Sequence, residues 1–138
     1  MNYNEVIDHK IEELIYLLIT NGVSPADLAN NIFDENYSKI SYYKKGMYII
    51  GEIEFFEESD LVKMIYTYSE EKIVLKIEEQ QKNQRIVLWD RASREKEIIN
   101  EIIEFMKIRY TPEQMTKFIS SLPNQIQINV QNELNWTA

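Results

Sequence analysis

The chain is 138 residues long, 44% hydrophobic, with a formal net charge of -8 and no cysteine. That length buries a core without staples, and the missing thiols exclude disulfide frameworks, thiolate zinc sites and cysteine nucleophiles. The opening MNYNEVIDHK lacks the basic-then-apolar order of a secretory signal, and no run approaches about 18 apolar residues, so a soluble cytoplasmic protein off the membrane is expected.

Tyr3, Ile7, Ile11, Leu14 and Leu18 recur at steps of three and four, which predicts an amphipathic helix from Tyr3 to Thr20. Asn21-Gly22 stops it, because glycine enters the left-handed conformation without a Cβ penalty. Ser24-Pro25-Ala26-Asp27 restarts the chain as an N-cap, a first-turn proline and an acid at the positive helix end, opening a short helix to about Phe33.

Between Tyr37 and Asp90 lie two glycines and no Pro, Cys or His. Five strand-like runs fill this stretch, near 37–43, 47–56, 61–69, 72–79 and 84–89. Glu52-Ile53-Glu54-Phe55 and Ile73 to Glu78 alternate clearly, so one sheet face is read as buried and the other as wet. Lys44-Lys45-Gly46, Glu57 to Asp60, Ser69 to Glu71 and Gln80 to Asn83 are the turns, and their shortness favours an antiparallel meander.

Helical period returns from about Ser93, read as a cap, to Tyr110, through Ile98, Ile99, Ile102, Ile103, Phe105 and Met106. Thr111-Pro112-Glu113-Gln114 has the pattern of a capping box and opens a helix that Pro123 ends. In the tail, Gln125 to Gln131 alternates polar and apolar residues, which suggests a sixth edge strand or a flexible arm. The expected fold is α+β: an antiparallel sheet of about five strands flanked by two N-terminal and two C-terminal helices. Residues 1–123 are read as one domain and 124–138 as its polar tail.

Charge is unevenly placed along the chain. Residues 1–36 hold seven acids against Lys10 alone, whereas 37–90 hold ten acids and eight bases, and 91–138 six of each. An acidic N-terminal helix repels phosphate backbones and suits a basic protein partner. Glu5, Asp8 and Glu12 fall on one helix face and are the first candidate contacts. Tyr42, Glu52 and Glu54 are the second set, since an outer sheet face with Tyr beside carboxylates suits protein recognition.

Catalytic and metal signals are sparse. Glu5, His9 and Glu13 lie at four-residue steps and are the metal candidates. Glu70-Glu71-Lys72, with Glu52, Glu54 and Asp60 upstream, has an acid-x-Lys spacing that resembles the core of metal-dependent nucleases. No glycine-rich loop stands ready to cradle phosphates, and no cofactor or catalytic residue is assigned. Gly22-Val23-Ser24 with Leu28-Ala29, followed by Ile40-Ser41-Tyr42-Tyr43-Lys44-Lys45-Gly46, resembles the phage-repressor-type helix-turn-helix, and this resemblance implies that Ser38, Lys39 and Tyr42 face a major groove. A hairpin over Ser41 to Tyr48 competes for the same residues.

The leading expectation is a small acidic, non-catalytic protein-binding module that docks a basic, nucleic-acid-handling partner, without direct nucleic-acid binding. In size and charge it is similar to phage-encoded inhibitors, antitoxins and immunity proteins. Three alternatives stand beside it: a dimer like the secretion chaperones, a helix-turn-helix regulator and a metal-dependent enzyme. A homodimer through a sheet edge or the tail is a further expectation.

Overall fold

The computed structural model describes residues 3–137. Five α-helices and a five-stranded antiparallel sheet are present among them, an α+β fold as the residue pattern predicts. The chain divides into two compact units: a helical one, from residues up to Leu18 and from Ser93 onward, and a sheet unit over Ile19–Ala92. No described helix is long and apolar enough to cross a membrane.

In the helical unit, α1 (Tyr3–Ile19), α3 (Arg91–Arg109), α4 (Pro112–Ser120) and α5 (Asn124–Thr137) supply the buried apolar cluster. Ile7 and Leu14 come from α1, Ile98, Ile99, Ile102, Ile103 and Met106 from α3, and Ile119 from α4. α3 starts two residues before Ser93, which therefore lies inside its first turn. The capping box at α4 forms as read: Thr111 Oγ1 accepts from Gln114 N at 3.2 Å, and Thr111 N donates to Gln114 Oε1 at 2.9 Å.

The tail is a correction. Residues 124–137 form α5, neither a sixth strand nor a loose arm. Ile126 and Val130 stand one helical turn apart and are 2% and 0% exposed in the helical core, while Ile128 between them is 52% exposed. A strand would turn all three to one face, whereas the helix buries two, each contributing about 1.5–3 kcal/mol, and satisfies its own backbone.

The sheet unit opens with α2 (Pro25–Ala29) and a 3-10 turn (Asn30–Phe33). Ser24 caps α2 by accepting from Asp27 N at 3.1 Å. Five strands follow in spatial order: β1 (Tyr37–Lys45), β2 (Tyr48–Glu57), β3 (Asp60–Tyr68), β4 (Val74–Gln81) and β5 (Gln84–Asp90). Residues 37–45 are thus a strand and not a recognition helix, and the hairpin over Ser41 to Tyr48 forms. The tight turns use positive φ, at Gly46 (62°) and at both Lys82 (51°) and Asn83 (68°), as two-residue hairpins require.

The core cluster of the sheet unit lies on one sheet face, while Ile50 and Ile65 are buried on the other, which was expected to be wet. Leu28 of α2 packs with Ile53, Tyr68 and Val74, and with the partly buried Tyr37, Ile40, Met64, Tyr66, Ile77 and Trp89. The fully buried Tyr68 satisfies its hydroxyl by donating to Val23 O at 2.9 Å. Arg91, just after β5, donates to Val74 O at 2.7 Å and Thr20 O at 2.9 Å with its guanidinium over the Trp89 ring, so it closes this end of the sheet.

Candidate functional site

On α1 the buried Ile7 and Leu14 anchor one side of the helix, and Glu5, Asp8 and Glu12 are exposed as expected for a shared polar face. Neighbouring acids are engaged inside the unit. Glu13 lies 3.5 Å from His9 and 3.4 Å from Arg94, and Lys10 pairs with Glu101. His9 and Glu13 therefore meet, but among the described residues no three His, Asp or Glu side chains are grouped to hold a metal ion.

The sheet set does not form one surface. Directly opposed residues of a ladder share a face, and the register opposes Ser41 to Glu52, Lys39 to Glu54 and Tyr42 to Gly51. Tyr42 therefore lies on the face covered by α2. Its ring lies over Gly51, whose missing Cβ would meet Tyr42 Cε1 at 2.6 Å, and its hydroxyl donates to Pro25 O at 2.6 Å. Burial raises its pKa first, and the nearby Tyr66 adds to the rise. The tyrosine beside the carboxylates is Tyr43, whose hydroxyl is 3.4 Å from Glu52 Oε1.

Three cross-strand rows make up the second face: Lys39-Glu54-Lys63-Gln80-Arg85, Ser41-Glu52-Ile65-Glu78-Val87 and Tyr43-Ile50-Thr67-Lys76-Asp90. Four bases and four acids balance there. Lys63 lies 3.9 Å from Glu52 and 3.6 Å from Glu54, so both predicted carboxylates are compensated in the same chain. Glu70 and Lys72, the acid-x-Lys pair, sit in the β3–β4 turn with Lys72 at φ 67°. They do not converge on a strand carboxylate pair of the nuclease type.

Glu78 escaped the reading of the sequence. It is 7% exposed, and Arg85 holds it with two bonds of 2.8 and 3.1 Å while Lys76 approaches to 3.4 Å. Arg85 keeps the Glu78 carboxyl below the usual carboxylate range, against the opposing effect of burial. The register places Arg85 one row from Glu78, a diagonal that sequence spacing alone does not reveal. Also missed was β5 as a surface: Ile86, Val87 and Leu88 are 52%, 56% and 49% exposed on a strand paired only with β4. A run of three apolar residues at the end of a meander was the signal that could have found it.

Comparison with protein-family models, curated proteins and solved structures yields no family model, no sequence and no fold that matches this chain.

Proposed function

We propose that the protein is a small acidic, non-catalytic binding module that docks a basic surface of a protein partner, of the kind that otherwise engages nucleic acid, through the exposed face of α1. The observation that supports this reading is the exposure of Glu5, Asp8 and Glu12 along a helix whose other side is fixed by Ile7 and Leu14. The sheet acids Glu52, Glu54 and Glu78 are spoken for by Lys63, Arg85 and Lys76, so the sheet has little unbalanced charge to offer. Exposed charges of this kind steer encounter and set its salt dependence more than they deepen affinity.

The test reverses Glu5, Asp8 and Glu12 to Lys together and compares affinity capture from the native host at low and high salt. The expected result is a basic protein retained by the natural chain at low salt, released by high salt and lost with the triple variant. An unchanged set of captured proteins would reduce the acidic face to a solubility device.

A further inference from the structure

We infer that the protein pairs with a second copy of itself along β5, antiparallel, so that two five-stranded sheets run on as one across a two-fold axis at Ile86. This rests on the β5 edge alone and is independent of the α1 reading. An edge strand presents unpaired backbone donors and acceptors, and natural sheets blunt such edges with lysine, proline or bulges. Each edge ladder carries one irregularity, and the two edges of this sheet differ in their lysines. β1 carries Lys39, Lys44 and Lys45, with an irregularity between Tyr37 and Lys39, so a copy laid against it would set lysine near lysine. β5 contains neither Lys nor Pro, and Ile86, Val87 and Leu88 at its centre are each about half exposed.

Charge and register choose the arrangement. The cationic end of β5, with Arg85 and the adjacent turn residue Lys82, lies opposite in sequence to its anionic end, Asp90. Antiparallel pairing sets the cationic end of one strand beside the anionic end of the other, whereas parallel pairing sets like beside like. A two-fold axis perpendicular to the sheet keeps each face continuous and requires one residue to meet its own copy. From Gln81↔Gln84 to Glu78↔Val87 the β4–β5 ladder is regular, and it shifts only beyond, between Ile77 and Glu78. An axis at Ile86 lies within that regular stretch, opposes Arg85 to Val87 of the copy, and turns the end that carries Arg85 and Lys82 toward the end of the copy that carries Asp90.

The absence of cysteine makes the geometry directly measurable. Ile86→Cys places a single thiol on the axis, where opposed Cα atoms in a ladder stand about 4.5–5.5 Å apart, within disulfide reach. Mild oxidation is expected to convert this variant to a covalent dimer, while Leu61→Cys, at a residue 47% exposed on the interior strand β3, stays uncrosslinked. Light scattering of the natural chain is expected to give twice the monomer mass at about 100 µM, and Val87→Lys to halve that mass with an unchanged circular dichroism spectrum. A monomeric natural chain, a Val87→Lys variant that stays dimeric, or equal crosslinking from position 61 would each overturn the pairing.

Discussion

Gly22→Ala probes how the chain leaves α1 and enters the sheet unit. Gly22 sits at φ +80°, and a Cβ there would stand 2.8 Å from Val74 Cγ2 and 3.0 Å from Val74 Cβ. Neither partner can step back: Val74 is 1% exposed, and its N–H donates to Asn21 O at 2.8 Å, which pins the two backbones together. The left-handed conformation costs alanine about 1–2 kcal/mol, and overpacking adds about 1–3 kcal/mol. Reduced freedom of the unfolded chain returns about 0.4–1 kcal/mol, so a net loss of about 2–4 kcal/mol is expected. Gly46→Ala is the control, because Gly46 shares a positive φ of 62° but has no atom within 4 Å of its missing Cβ, and only the conformational cost of about 1 kcal/mol remains. Urea unfolding followed by circular dichroism measures both, with amide exchange in β4 confirming that the sheet unit is the part that opens. A Gly22→Ala, Val74→Ala cycle should recover at least about 1 kcal/mol of coupling, as expected for side chains in contact. Equal losses at Gly22 and Gly46, or no coupling to Val74, would refute the steric reasoning.

Two titrating groups extend the test to pH. The folded protein holds the Glu78 carboxyl below its unfolded value, so its contribution is complete above the ordinary carboxylate pKa of about 4.3 and fades as pH falls through the folded value. Glu78→Gln should cost about 1–2 kcal/mol at neutral pH, less than the 3–5 kcal/mol of a fully buried pair because Arg85 is half exposed, and progressively less as pH falls below the ordinary carboxylate pKa. Parallel stability profiles from about pH 7 to 3 for the two proteins would rule this out. Tyr68→Phe leaves Val23 O without its buried donor and should cost about 1–2 kcal/mol. Burial, then the neighbouring Tyr42 and Tyr66, raises the Tyr68 pKa, so the folded state retains its proton and loses stability as pH climbs past about 10. Removing the hydroxyl should flatten that alkaline decline, and thermal unfolding between about pH 9 and 11 shows whether it does.

Much of the fold was legible because local chemistry and tertiary packing agree. Gly22 stops α1 with positive φ, Ser24 and Thr111 cap their helices, and all five strands lie within three residues of the predicted runs. The tail was misread because Ile126, Ile128 and Val130 satisfy the two-residue period while Ile126, Val130 and Leu134 satisfy the four-residue one. Continuity decides between them. Ile119, Leu122, Ile126, Val130 and Leu134 follow one another at steps of three and four across Pro123, and all five pack in the helical cluster.

The sheet side of the candidate site turned on an odd-numbered shift of register, from 43 opposing 47 to 43 opposing 50. A three-residue turn at Lys44-Lys45-Gly46 opposes position 43 to 47 and puts Tyr42 on the same face as Glu52 and Glu54. In the structure the turn is Gly46-Met47, Lys45 opposes Tyr48, and every residue of β1 changes sides relative to β2. Tyr43 consequently stands beside Glu52, and Tyr42 turns inward over Gly51. The same register brings Lys63 to Glu52 and Glu54, a neutralisation that counting charges along the chain does not disclose. Ten acids and six bases lie in the helical unit against thirteen and nine in the sheet unit, an equal excess of four in each. The acidity of the first 36 residues is thereby divided, with Asp27, Asp34 and Glu35 in the sheet unit and Glu5, Asp8 and Glu12 on α1. A partner drawn by overall charge would respond equally to reversal in either unit, whereas one that docks on α1 responds to Glu5, Asp8 and Glu12 and ignores Asp27, Asp34 and Glu35.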